Sequence, residues 1–470
     1  MPSFGRALPW AVAALAAAAC SSSKSSTSSS CNPAAANPCS GGLVCEAVAG
    51  GASQCVSALV IQGKVFELAA PATGISGAGV IALDASGAPV GPAATSDATG
   101  AYEIPIHAAR NADGSPAGAV TLRASAAGYE TFPSGLRLSF PVNLSLATSV
   151  NGRWVVKSSG TDVGLVALAT PGASWVQGTV AVPATEPGVL VVAAPAVQPS
   201  TDPVRTGYAD ANGAYAIHDL PSGAAYTVEA YAAGVNYAAQ TKTLASGQNV
   251  VDLAIDAARP ARTVSGTVQL VGQNQPSNPT SVILVLASTY DAALGRGESP
   301  PGLRAGNVTS TYSIAGVPDG DYVVLGGFEN DGWVRDRGGG AQAPPAISVA
   351  GADVTVTGFK ITGAVTLGTP FSAADPWTAD VASPTFVWVA YPSSLEQTVR
   401  IIDAYGTEVW SKTALSGTAT SVAYDGPALT SGAYYQFQVI AYQTVGGGGG
   451  GPTIDIASQS EDLRGVFVAF

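Results

Sequence analysis

Three stretches of this chain begin alike and continue alike. Ile61-Gln-Gly-Lys-Val65, Val176-Gln-Gly-Thr-Val180 and Val264-Ser-Gly-Thr-Val268 each place branched apolar residues on either side of a glycine. That alternation predicts a strand with one buried face. A second signature follows each of them: Ser96-Asp-Ala-Thr-Gly-Ala-Tyr102, Ala209-Asp-Ala-Asn-Gly-Ala-Tyr215, and the degenerate Asn307-Val-Thr-Ser-Thr-Tyr312. Asp97 and Asp210 can cap their own turns through the side chain, and Gly100 and Gly213 accept the positive φ such turns need. The strands that follow put Tyr102, Tyr215 and Tyr312 on the same face as Ile104, Ile217 and Ile314. Two of the stretches then carry a further turn, Leu220-Pro-Ser-Gly223 before Tyr226 and Val317-Pro-Asp-Gly320 before Tyr322. Pro-x-Gly between two alternating runs predicts a hairpin. Starts at residues 61, 176 and 264 lie too far apart for a solenoid, whose period is about 20–50 residues. Each repeat therefore has its own core.

The strand-one glycines (Gly63, Gly178, Gly266), the D-x-x-G-x-Y turn and the P-x-G-x-Y turn together resemble the carboxypeptidase regulatory-like domain family. That family is a prealbumin-like β-sandwich related to the Cna B-type repeats of surface proteins. The resemblance implies three sandwiches, over residues 59–170, 171–260 and 261–365. The first lacks the P-x-G-x-Y turn and carries an inserted loop at 110–118. The likeness is to an accessory domain of carboxypeptidases, so it implies no peptidase activity. Some Cna B-type domains form an internal Lys–Asn isopeptide bond, for which Lys64 and Asn143 are the candidates. Thr179 and Thr267 stand at the Lys64 position in the other repeats, so that position reads as variable and no cross-link is expected.

The last hundred residues differ. Pro384-Thr-Phe-Val-Trp388, Val399-Arg-Ile-Ile-Asp403 and the run from Leu429 to Ala441 resemble a fibronectin type III domain over residues 366–470. The resemblance makes Trp388 its buried strand-B tryptophan and Leu429, Gly432 and Tyr435 its tyrosine corner. Residues 446–451, all glycine, read as a mobile loop before a final strand over 466–470.

The beginning of the chain reads as a processing segment. Arg6 precedes a short apolar run that ends at Cys20, too short to span a bilayer and suited to a secretion signal over residues 1–19. Small residues before Cys20 resemble a bacterial lipoprotein lipobox, which implies cleavage there and a lipid on the Cys20 sulfur; Ala17 departs from the usual Leu. Residues 21–30 are Ser, Thr and Lys only, which predicts a disordered tether. The remaining cysteines, Cys31, Cys39, Cys45 and Cys55, form an even set within a small module at 31–58. Two disulfides are expected, with three connectivities open. Their spacing of seven, five and nine residues, with no neighbouring His, argues against zinc.

The chain has 11 % charged residues and a net charge of -12, which argues against a nucleic-acid partner. No G-x-S-x-G, H-E-x-x-H or Walker loop occurs. His107 and His218 are the only histidines and both read as exposed loop residues. Neither Asp210 with Asn212 nor Glu329-Asn-Asp331 near Asp336 has the spacing of a calcium loop. No catalytic residue, metal or cofactor is therefore assigned. One loop invites a binding role: Trp333 beside Asp331 and Arg335 in a Gly-rich stretch, where an exposed ring could stack a sugar or peptide. The expectation is an all-β chain of tandem antiparallel sandwiches after a disordered tether, held at the bacterial cell envelope, in the outer membrane, by its lipid. It would act without catalysis as a rod displaying binding or spacing surfaces to an envelope protein. The alternative is a carbohydrate-binding protein.

Overall fold

The computed structural model describes residues 30–33, 35, 38–133, 141–183, 188–272, 274–327, 331–337, 343–370, 378–379, 383–404, 406–445, 453–461 and 464–469. The signal segment, Cys20, residues 21–29 of the tether, Phe328, Glu329, Asn330 and the 446–451 glycine run lie outside the described residues. Within them the protein is all-β, with three short 3-10 turns as its helical elements. No described helix is long and apolar enough to cross a membrane.

Each repeat builds two facing sheets, and one rule organises all three. The first strand is flanked on one side by the tyrosine-bearing strand, antiparallel, and on the other by the last strand, parallel. Leu59–Glu67 lies between Ala101–Ile106 and the pair Arg153–Val156 and Val163–Leu165. Ser174–Thr179 lies between Ala214–Leu220 and Gly247–Val250. Arg262–Val271 lies between Thr311–Val317 and Val354–Gly363. The expected antiparallel sandwiches thus each contain parallel pairing on the first strand, from two short strands in the first repeat and one in each of the others. The chain returns to its first strand from the opposite sheet, so it arrives in the same direction.

The recurrent Gly and Tyr are cross-strand partners. Gly63 faces Tyr102, Gly178 faces Tyr215 and Gly266 faces Tyr312. A methyl at Gly266 would lie 2.6 Å from the Tyr312 hydroxyl, and at Gly63 it would lie 2.7 Å from that of Tyr102. The ring covers the glycine, so only hydrogen fits there. The phenol then reaches past it: Tyr102 donates to the Thr161 carbonyl at 2.6 Å and Tyr215 to that of Val251 at 2.7 Å. The Asp turns form as expected, with Asp97 accepting from Thr99 and Ala101, and Asp210 from Asn212 and Ala214. Gly100 and Gly213 both sit at φ +81°.

The P-x-G turns are not hairpins. Ala214–Leu220 pairs in one sheet and Ala225–Tyr231 in the facing one, and likewise Thr311–Val317 and Gly320–Gly326. Each turn is a corner that carries the chain across the core. Tyr226 and Tyr322, beyond it, are fully buried. In the first repeat the 107–118 loop makes the same crossing between Ala101–Ile106 and Ala119–Ser125.

The terminal sandwich pairs Glu396–Asp403 with Glu408–Ser416 and Tyr434–Val445, and faces them with Thr385–Val387 and Ser421–Ala423. Trp388 is buried, its indole N–H donating to Gln397 at 2.8 Å. The Tyr435 hydroxyl accepts from the Thr430 N–H at 2.9 Å, beside buried Leu429 and Gly432 at φ +79°. Both expected fibronectin-type features are in place.

The units close on one another instead of forming a rod. Arg205 pairs with Glu130 at 3.0 Å between the second and first sandwiches. Arg123 pairs with Glu298 at 3.0 Å between the first and third, and its guanidinium stacks 4.9 Å from the Tyr208 ring of the second. Leu190 and Val192 of the second enter the core of the third. Ser458 of the terminal sandwich donates to the Gly363 carbonyl at 2.6 Å. Phe132 and Tyr434, from the first and last sandwiches, meet at 5.1 Å between ring centroids. A rod has contacts between successive units only. Contacts of the first unit with the third and fourth bend the series back on itself.

Candidate functional site

The loop singled out for ligand stacking divides between structure and surface. Trp333 begins the strand Trp333–Arg335, which pairs with the end of Val354–Gly363. Its side chain is 1 % exposed, and its indole N–H donates to the Asn278 carbonyl at 2.8 Å. This corrects the expected exposed ring: an apolar body with one satisfied polar atom is more stable inside the sandwich than on it. Asp331 staples the same loop. One carboxylate oxygen accepts from the Trp333 N–H at 3.0 Å, the other from Thr280 Oγ1 and the Ser281 N–H, both at 3.0 Å. Burial pushes its pKa up, against the lowering effect of these bonds. Arg335 alone faces open space. It lines a groove of about 800 Å³ in the third sandwich, with Phe359, Lys360 and Asp336.

Of the two histidines, His107 keeps its expected exposed loop position and His218 does not. His107 is exposed, but its Nδ1 lies 3.1 Å from Glu46 of the cysteine module. That hydrogen bond raises its pKa, with burial opposing. His218 lies not in a loop but on the strand Ala214–Leu220, and its Nδ1 is buried with no partner. Burial lowers its pKa, with Asp219 opposing. It lines a cleft of about 600 Å³ between the first and second sandwiches, with Arg123, Gln177, Thr206 and Asp252.

The module forms the pairs Cys31–Cys45 and Cys39–Cys55. Three of these sulfurs lie close together, but as disulfides they offer no thiolate to a metal. The module is docked by the inserted loop: buried Arg110 forms an ion pair with Glu46 and donates to the Ser57 carbonyl at 3.1 Å. No sequence signal marked Glu46 as its counter-ion. The isopeptide candidates have separate partners: Lys64 Nζ donates to the carbonyls of Pro71 and Ala72, and Asn143 caps Ser145. One recurring residue passed unnoticed. Asp162 and Asp252 flank the last strands, before Val163–Leu165 and after Gly247–Val250, and accept the N–H that follows the strand-one glycine, from Lys64 at 2.9 Å and Thr179 at 2.8 Å. The repeated Asp followed by Val or Leu was the available signal.

No family model matches the sequence, and no curated protein matches it. Among solved structures, the chain is similar to the minor pilin of Streptococcus agalactiae at 17 % identity, covering 42 % of this chain and 99 % of that one, with a TM-score of 0.19. It is similar to the major pilin subunit of Bacillus cereus at 11 % identity, covering 64 % and 99 %, with a TM-score of 0.17. A DUF3823 family protein from Bacteroides ovatus matches at 12 % identity, covering 44 % and 98 %, with a TM-score of 0.18. Scores this low carry no functional argument.

Proposed function

We propose that this chain is a non-catalytic cell-envelope lipoprotein, tethered through Cys20, whose sandwiches form a scaffold for surface display, adhesion or protein interaction. The closure of three sandwiches around the buried Arg123–Glu298 pair carries this reading. A chain whose modules lock together presents a fixed arrangement of loops and grooves, as a docking platform requires. Two disulfides support an oxidising compartment outside the cytoplasm. The sugar-stacking alternative loses its main support with the burial of Trp333.

The test is metabolic labelling with radioactive palmitate, followed by fractionation. Wild-type protein should carry label and sediment with membranes. Cys20→Ala should lose the label and leave the membrane fraction. Unlabelled wild-type protein would remove the anchor and with it the envelope reading.

A further inference from the structure

We propose that the cleft between the first and second sandwiches binds a neutral, mainly apolar small molecule that presents a carbonyl. Its walls are the outer faces of two sheets. Val80, Leu122 and Ala124 enter the core of the first sandwich, so Gly79, Ile81, Arg123 and Ser125, at alternate positions, point out of it. Val176, Tyr215 and Ile217 enter the core of the second, so Gln177, Ala214, Ala216 and His218 point out of that one. Arg123 holds the two faces together through Thr206 and the Tyr208 ring. Beyond it the facing side chains are small, with Gly79 and Ala94 on one wall and Ala214 and Ala216 on the other. About 600 Å³ stays open between them, within the roughly 300–1,000 Å³ of small-molecule sites.

His218 is the residue that calls for a ligand. Neither of its ring nitrogens bonds to a described residue, and its Nδ1 is sealed from solvent. Burial favours the neutral ring, in which one nitrogen carries a proton and the other a lone pair. A bare lone pair is the cheaper group to seal in without a partner. The proton then sits on Nε2, the nitrogen that is not sealed. Gln177 stands diagonally from His218 on the neighbouring strand, because Ala216 is its cross-strand partner. Its Oε1 accepts from Trp175 Nε1 at 3.4 Å, and its amide nitrogen bonds to no described residue. Two unspent N–H donors thus stand side by side on one wall, and a carbonyl oxygen has two lone pairs to meet them.

Charge selects the body of the ligand. Arg123 is neutralised by Glu298, so an anion would find no uncancelled cation among the described lining residues. Asp252 stands exposed with Oδ1 bonded to Thr179, and water screens what it could offer a cation. A sugar would need a ring to stack on. Tyr208 already carries the Arg123 guanidinium at 4.9 Å, and Tyr215 is part of the core.

This site goes beyond the scaffold reading and does not depend on Cys20. The test is photo-cross-linking of the purified full chain with benzophenone, a neutral diaryl ketone whose excited carbonyl bonds to nearby C–H groups, followed by peptide mass spectrometry. Labelling should saturate and fall on Ser174–Thr179 or Ala214–Leu220, the strands that carry Gln177 and His218. His218→Ala should raise the half-saturating concentration about fivefold, the worth of one neutral hydrogen bond. Ala216→Phe fills the cleft and should abolish labelling there, while His107→Ala should change nothing. The anion 4-benzoylbenzoate, the same body with a carboxylate, should need about tenfold more. Absence of saturable labelling on these two strands overturns the proposal, and that result needs no variant to fold. Wild-type labelling in both cleft variants overturns it as well. Labelling by the anion as tight as by the ketone removes the neutral ligand, and protection by maltose would assign the cleft to a sugar instead.

Discussion

At Gly178 a single added carbon decides whether the second sandwich closes. A methyl there would lie 2.0 Å from the Val251 carbonyl oxygen, a backbone atom that no rotamer change can move. Gly178→Ala should cost roughly 1–3 kcal/mol or more in thermal unfolding. Gly223→Ala meets open space and only a φ of +81°, so it should cost about 1 kcal/mol. A smaller loss at 178 than at 223 would contradict this close backbone approach. The tyrosines test the same motif from the other side. Tyr215→Phe removes a buried hydrogen bond and should cost about 1 kcal/mol. Tyr312→Phe should be close to neutral, because the Tyr312 hydroxyl is buried without a partner. These pairings were legible in the sequence as co-recurring Gly and Tyr. Which residue the phenol would meet was not, since Thr161 and Val251 flank the distant last strands.

At the scale of elements, alternation identified strands but not their neighbours. A period of two reports that one face is buried; it is silent on which sheet receives the strand. Leu220-Pro-Ser-Gly223 therefore read as a hairpin when it is a corner between sheets. The same blindness hid the use of the 107–118 loop. Its 110–118 part reads as an insertion, and the loop is what seats the disulfide module, through Arg110 and His107 on Glu46. The His107 contact is pH-dependent. Its pKa is raised in the folded state, so the added stability is complete below the unfolded value of about 6.5. It is lost as pH rises through the folded value. Protease release of residues 31–58 should accelerate over that range, and His107→Ala should flatten the profile. A profile unchanged by the variant would assign the docking to Arg110 alone.

For the whole molecule, closure replaces the expected rod. Arg123 and Glu298 are 7 % and 8 % exposed and join three sandwiches with Thr206 and Tyr208. Arg123→Met leaves a buried carboxylate unpaired, at a cost of about 3–5 kcal/mol to the junction. Small-angle scattering should place the wild-type chain near the compact expectation of about 23 Å in radius of gyration. The variant should expand, and Arg123→Met with Glu298→Leu should recover much of the compactness, since an apolar pair can replace a buried ionic one. An extended wild-type profile would restore the rod.

By itself the sequence determined the class of fold, the number of repeated cores, the capped turns and the tyrosine corner. Each of those follows from contacts between residues close in the chain, or from a pattern that recurs because every sandwich solves the same packing problem. The disulfide pairing, the docking of the module, the fate of Trp333 and the cleft that His218 lines were decided only by tertiary structure. In those cases the partners are dozens to hundreds of residues apart, and no local period or motif encodes which distant surface a side chain will meet.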